Sequence, residues 1–149
     1  MKTILFAVTA LVALGIVAYI VMAVMSQKMP DNLGLQDGVL RPCPESPNCL
    51  CSEAHTQGDN VHYTAPIQGD KVMWDKLQSV IQAQGGEVVT DNRDYKHYTF
   101  STPIMHYVDD VELRFDEASN LIHIRSASRI GRKDFGVNQA RIDKIKQAL

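Results

Sequence analysis

The sequence predicts a two-layer α+β domain, a four-stranded antiparallel meander with two helices on one face, preceded by one transmembrane helix. Three patterns predict it. Residues 4–25 form an uninterrupted run without a charge, ILFAVTALVALGIVAYIVMAVM. Residues 70–84 repeat their apolar side chains at helical spacing, and four β-prone runs then lead into a last amphipathic stretch. With 149 residues the chain has room for one ordinary domain, which excludes a multidomain enzyme, a repeat array and a polytopic transporter. A net charge of −2 argues against wholesale nucleic-acid binding.

Residues 1–3 are an N-terminal stub, and the run 4–25 follows as a transmembrane helix or signal anchor. As a helix it spans about 33 Å, enough for a bilayer core of about 30 Å. A cleaved signal peptide would have a shorter apolar core and a small-x-small cleavage site. The best candidate here, Val21-Met22-Ala23, lies inside the apolar run, so an uncleaved anchor is favoured. Lys2 on one side and Lys28 and Arg41 with Asp31 and Asp37 on the other give only a slight charge bias for orientation. Residues 26–40, with Pro30, Gly34 and Gly38 among polar neighbours, read as a tether, and 41–149 as a single domain.

Within that domain Val72, Met73, Leu77, Val80 and Ile81 share a helical face, bordered by Trp74, with Asp70 as cap and Gly85-Gly86 as stop. Residues 87–91, 95–101, 108–115 and 121–128 are the four strands, joined by turn chemistry that suits a meander. A short strand near Val61 to Thr64 adds an edge. The last helix, 137–148, presents Val137, Ile142, Ile145 and Leu149. In the third and fourth strands Val111, Leu113, Phe115, Ile122 and Ile124 alternate with Asp110, Glu112, Arg114, His123 and Arg125. The apolar face belongs under the helices. The charged face is expected to be open, with exposed opposite-charge pairs worth a few tenths of a kcal/mol, and available for docking.

Cys43, Cys49 and Cys51 fall within nine residues. In an oxidising compartment the natural reading is a short Cys43–Cys49 disulfide, giving about 2 to 2.5 kcal/mol by chain entropy, with Cys51 left over. A thiolate metal site completed by Cys51 and His55 is the alternative, although structural zinc usually draws on two separated ligand pairs. No C-x-x-C supports a thiol redox role. The expectation is therefore no metal and no cofactor. The cysteines place the C-terminal domain outside the cytoplasm: a single-pass inner-membrane protein facing the periplasm, or a periplasmic or secreted one if the N-terminal segment is cleaved.

Residues 125–149 carry net +5 against −7 for the remainder. The basic stretch Arg125-Ser-Ala-Ser-Arg-Ile-Gly-Arg-Lys-Asp-Phe-Gly-Val-Asn-Gln-Ala-Arg141 gathers Ser126, Ser128, Arg129, Arg132, Lys133, Asn138 and Arg141 near a helix start, as candidate ligands for an anion or a partner. The structural reading of the same residues has Asp134 or Asn138 capping the helix and Arg129 or Arg141 paired with Asp109 or Asp110.

That stretch, with Leu35-Gln-Asp-Gly-Val-Leu-Arg-Pro-Cys-Pro-Glu-Ser-Pro-Asn-Cys49 and Val108-Asp-Asp-Val-Glu112, closely resembles domain-of-unknown-function family 1499. The resemblance covers nearly all of the chain after the apolar run. It implies a bacterial or plastid domain behind a signal or membrane segment and implies no activity. Cys43 and Cys49 match the family's cysteine pair, whereas Cys51 stands where many members carry Ser.

The functional expectation is a membrane-tethered extracytoplasmic module that meets the lipid bilayer through residues 4–25 and binds an unknown protein or small anion, with no nucleic acid. The alternative is a small hydrolase-like enzyme using Asp109, Asp110 or Glu112 with His106 or His123 as acid and base, or a cysteine-based metal or redox site. No G-x-S-x-G, H-E-x-x-H or P-loop supports catalysis.

Overall fold

A computed structural model describes residues 1–149. Helix α1, Lys2–Gln27, is apolar along its whole length, with a mean hydropathy of 2.7 and no charged side chain after Lys2; it is long and apolar enough to cross a membrane. Beyond it the chain builds strands β1 (Leu35–Gln36), β2 (Val39–Leu40), β3 (Cys49–Cys51) and β4 (Ile67–Gln68), then helix α2 (Lys71–Ala83). Strands β5 (Glu87–Asp91), β6 (Tyr95–Ser101), β7 (Val108–Asp116) and β8 (Leu121–Ser128) lead into helix α3 (Val137–Gln147).

Strands β5 to β8 form the expected antiparallel meander. The sheet, however, has six strands rather than four. β3 and β4 both pair antiparallel with β8, one at each end, and complete its outer edge. Strands of two and three residues are too short to show a period of two, and Pro44, Pro47 and Pro66 around them read as loop. The strand expected at Val61 to Thr64 reduces to one bridge, Tyr63 beside Cys51.

Helices α2 and α3 cover one face of this sheet, where Trp74, Leu77 and Ile81 from α2 and Ile142 and Ile145 from α3 meet Tyr98, Val111, Leu113, Phe115, Ile122 and Ile124. Trp74 stacks on Phe115 at 5.7 Å between ring centroids. Asp70 caps α2 by accepting a hydrogen bond from the Met73 amide at 3.0 Å. The buried stripe is turned from the expected one: Trp74 is 1% exposed and Val72 76%. Trp74, Leu77 and Ile81 stand at i, i+3 and i+7, which leaves Val72, two residues earlier, about 200° around the helix. At the start of α3, Asp134 accepts from the Asn138 and Gly136 amides, so capping falls to Asp134 and frees Asn138 for the interior.

The charged sheet face corrects the sequence reading more deeply, because it is covered. Chain segment 26–48, joined by Glu53 just past β3, folds across it and makes a third layer. The β1–β2 hairpin packs over β7 and β8, Leu40 is fully buried, and the Gly34 amide donates to Glu112 at 2.6 Å. The Ser26 hydroxyl accepts a 2.6 Å hydrogen bond from the Val108 amide. Residues 26–40, expected as a tether, thus carry backbone bonded to the sheet. A disulfide joins Cys43 to Cys49 beside this segment and Cys51 is free and buried. Coverage was hidden because a polar strand face normally reads as solvated, and its cover is a proline- and glycine-rich stretch without periodicity.

The two-faced packing makes a contrast that thermal or chemical unfolding can read. Leu113→Ala, in the centre of the core, is expected to cost about 2 to 5 kcal/mol, while Val72→Ala should stay within about 0.5 kcal/mol of the parent.

Candidate functional site

Alternation along the strands sorts the charged residues. Tyr95 and His97 of β6, Asp110, Glu112 and Arg114 of β7, and His123, Arg125 and Arg129 of and just past β8 all lie on the covered polar face. Three carboxylates there each meet one arginine. Glu53, carried in beneath the cover, takes a bidentate pair from Arg114 at 2.8 and 2.9 Å. Asp110 takes a second bidentate pair from Arg129, 2.8 Å at each oxygen, and His97 Nε2 lies 2.7 Å from Asp110 Oδ1. Glu112 accepts from Arg125 Nη1 at 2.5 Å, the Tyr95 hydroxyl at 2.7 Å and the Gly34 amide. The cross-strand Glu112–Arg125 pair, expected to be exposed, is buried, and the Glu53 and Asp110 carboxylates are buried beside it. Removing either partner of such a pair leaves a charge stranded, at a cost of about 3 to 5 kcal/mol.

Arg125 is the exception within this balanced set. It is 1% exposed, and its Nε and Nη2 have no hydrogen-bond partner in the protein. A buried donor without an acceptor costs about 1 to 3 kcal/mol, more when charged, so this guanidinium has unused capacity for an anion or for water. Arg125 borders a polar cleft of about 150 Å³, along with Arg129, Asp110, Asn32, Ser46 and Asn48. Asn48 fixes one wall: its side-chain amide donates to the Gly131 carbonyl at 2.8 Å, and its carbonyl accepts from the Ser128 amide and from Asn138 Nδ2.

The residues nominated from sequence divide between the two sheet faces. Arg129 and Ser128 border the cleft. Ser126, Asn138 and Arg141 lie on the helix side, where Ser126 Oγ donates to Asn138 Oδ1 at 2.6 Å and Arg141 Nη2 to Asp109 at 2.5 Å. Arg141 also lies 4.7 Å above the Phe100 ring. Arg132 and Lys133 are exposed in the loop before α3. Of the acid–base candidates, Asp109 faces the helices while Asp110 and Glu112 face the cover. His106 is exposed on a loop, and His123 sits against Ser52 and Glu53, not against the Asp110 and Glu112 carboxylates. His97, Asn48 and Glu53 were missed. His97 was readable from the in-phase spacing of Tyr95 and His97, whereas Asn48 and Glu53 come from loop segments whose packing no local pattern encodes.

Cys51 is in a poor place for chemistry. Burial pushes its thiol up to about 11, so it stays protonated near neutral pH. His55 lies on an exposed turn, and no group of three His, Cys, Asp or Glu side chains is arranged to hold a metal.

Burial works against ionisation of Asp110, yet the bonds from Arg129 and His97 outweigh it and hold this carboxyl below its ordinary range. Glu53 follows the same pattern: burial opposes the charge, and Arg114, the Leu40 amide and His123 overcome it. A carboxyl depressed in the folded state contributes stability above its unfolded value and loses it as pH falls through the folded one. The melting temperature should therefore hold from about pH 7 to about pH 5 and fall steeply below about pH 4. A flat profile down to about pH 3 would refute the buried, ionised carboxylates.

No curated protein and no solved structure matches the chain. A family model does match, over residues 39–149, described as "Protein of unknown function (DUF1499)". The match takes in the β2 strand, the disulfide loop, the whole sheet and both packed helices, together with Asn48, Glu53, Asp110, Glu112, Arg125 and Arg129. On that match the chain belongs to the DUF1499 family.

Proposed function

We propose that this protein is a membrane-tethered, extracytoplasmic binding module whose polar cleft takes a small anion on Arg125. The observation that carries the reading is the pair of unbonded nitrogens on a fully buried guanidinium that borders a polar cleft. Size limits the ligand. Ordinary small-molecule pockets run to about 300–1,000 Å³, while about 150 Å³ is what a six-carbon ring occupies in an engineered cavity. A cleft of about 150 Å³ suits an anion of a few heavy atoms, a carboxylate or an oxyanion. Arg129 adds a second cation at the rim, and Asn32, Ser46 and Asn48 add neutral polar groups.

Binding is favoured over acid–base catalysis because both Asp110 oxygens and both Glu112 oxygens are already bonded to protein donors. With their oxygens occupied in this way, neither carboxylate presents a free oxygen to a substrate proton. The tether rests on the length and hydropathy of α1, and the extracytoplasmic side on the Cys43–Cys49 disulfide, which belongs to oxidising compartments. Inner-membrane anchoring with a periplasmic domain is the orientation that joins these two features.

Ligand linkage tests the cleft. Formate, acetate, bicarbonate or phosphate should raise the melting temperature of the full chain in detergent; a ligand at a hundred times its Kd adds about 2.7 kcal/mol. Arg125→Lys keeps a cation opposite Glu112 but loses the free fork, and should lose the shift. Asn32→Asp, on an exposed side chain at the rim, should weaken it by repulsion. Equal shifts in all three proteins, or none with any anion, would remove the cleft as a binding site.

Orientation has its own test. Alkaline phosphatase fused after Leu149 should be active. Activity from a cytoplasmic reporter alone at that position would reverse the orientation.

A further inference from the structure

Two loops meet at the end of the sheet nearest α1. The first, residues 102–107, joins β6 to β7 and exposes Ile104 and Met105; the second, residues 129–136, joins β8 to α3 and exposes Phe135 at 95%. Apolar side chains at loop tips cost solubility and add nothing to a core, so their shared position calls for an apolar neighbour. An apolar cavity of about 330 Å³ lies between the loops, lined by Met22 of α1 with Thr102, Tyr107, Ile130, Lys133 and Phe135.

The depth of the first loop is set by α1 itself. The Tyr19 hydroxyl donates to the Ile104 carbonyl at 2.8 Å, and Gln27 Nε2 donates to the His106 carbonyl at 2.8 Å. Tyr19 lies seven residues before Ser26, where the helix joins the sheet, so the loop tip reaches about 10 Å down the apolar helix. Irregular backbone at that depth survives only if its polar groups are bonded within the protein. This loop meets much of that demand. The Thr102 amide donates to the Tyr107 carbonyl, the His106 amide to the Thr102 carbonyl, and the Tyr107 amide to Thr102 Oγ1. Pro103 has no amide to satisfy.

We infer that the domain is seated in the leaflet that α1 enters, with Ile104, Met105 and Phe135 inserted among the acyl chains and Arg132 and Lys133 at the level of the lipid phosphates. The inference rests on α1 spanning a bilayer. Continuity with α1 selects lipid as the occupant: a patch that runs alongside a membrane helix is inside the bilayer once the helix is. Arg132 and Lys133, exposed beside Phe135, supply the cations that interfacial surfaces direct at phosphates while their stems stay in the apolar zone.

Tryptophan quenching by brominated acyl chains tests it on the full chain in vesicles of phosphatidylethanolamine and phosphatidylglycerol. The native Trp74, buried in the core, is a constant background. Ile104→Trp and Phe135→Trp replace exposed side chains, so the fold is undisturbed. Val12→Trp, mid-helix, reports the anchor, and Val72→Trp, exposed at the far end of the sheet, reports the distal surface. The expected result is loss of most of the added emission at 12, 104 and 135, and none at 72. Quenching at 12 without quenching at 104 and 135 overturns the seating and leaves the anchor intact, also where emission at 104 and 135 is blue-shifted by contact with a second protein copy. No quenching at 12 overturns the anchor and the seating with it. Quenching at 72 equal to that at 135 overturns the fixed orientation.

Discussion

Charge compensation beneath the covering segment is the constraint on which the rest of the structure depends. Glu53, Asp110 and Glu112 are each almost fully enclosed, and each is matched by one arginine. Enclosure without the match would strand charges in a low-dielectric space, and the match without enclosure would contribute little. Register follows from it. Glu112 must lie opposite Arg125 across β7 and β8, and a one-residue slip would turn both chains of alternating residues inside out. The covering segment follows from it too, since Glu53 and the Gly34 amide are parts of the polar layer delivered from outside the meander. The apolar layer under α2 and α3 supplies most of the hydrophobic stabilisation, while the polar layer dictates which arrangement of the chain is compatible with it.

Legibility in the sequence tracked the range of the interaction. The α1 span, the Asp70 cap, the meander and the helix-covered face are local or periodic, and each was readable from residues a few positions apart. The polar layer was half readable. Alternation put Asp110, Glu112, His123 and Arg125 on one face, but burial depends on residues 26–48 and Glu53, far away in sequence and aperiodic. The loop before α3 shows the same limit: its density of cations suggested one anion site, yet the strand twofold period and the helix start send Arg129 to one sheet face and Arg141 to the other. Asn48 has no local signature at all; its role comes from holding the Ser128, Gly131 and Asn138 backbone and side chain together across the chain.

Arg129 links the two halves of the molecule. Its Nε and Nη2 hold Asp110, while Nη1 reaches the carbonyls of Ser26 and Gln27 at the C-terminal end of α1. A cation there satisfies carbonyls that have no partner in the helix and complements the helix dipole. The same side chain borders the cleft. One residue therefore touches the last turn of the apolar helix, the buried ion-pair layer and the ligand-sized space.

Because Ser26 and Arg129 bond the helix end straight to the sheet, the chain has no slack between its apolar segment and its folded part. With α1 in a bilayer, the domain cannot swing out on a leash. A body of this length has a radius of gyration of about 14 Å, which confines the cleft to a shell a few tens of ångströms thick over the lipid surface. For a partner anchored in the same membrane, encounters within that shell would be two-dimensional searches. A small solute still reaches the cleft directly from bulk water, so the tether selects among large partners and not among small ones.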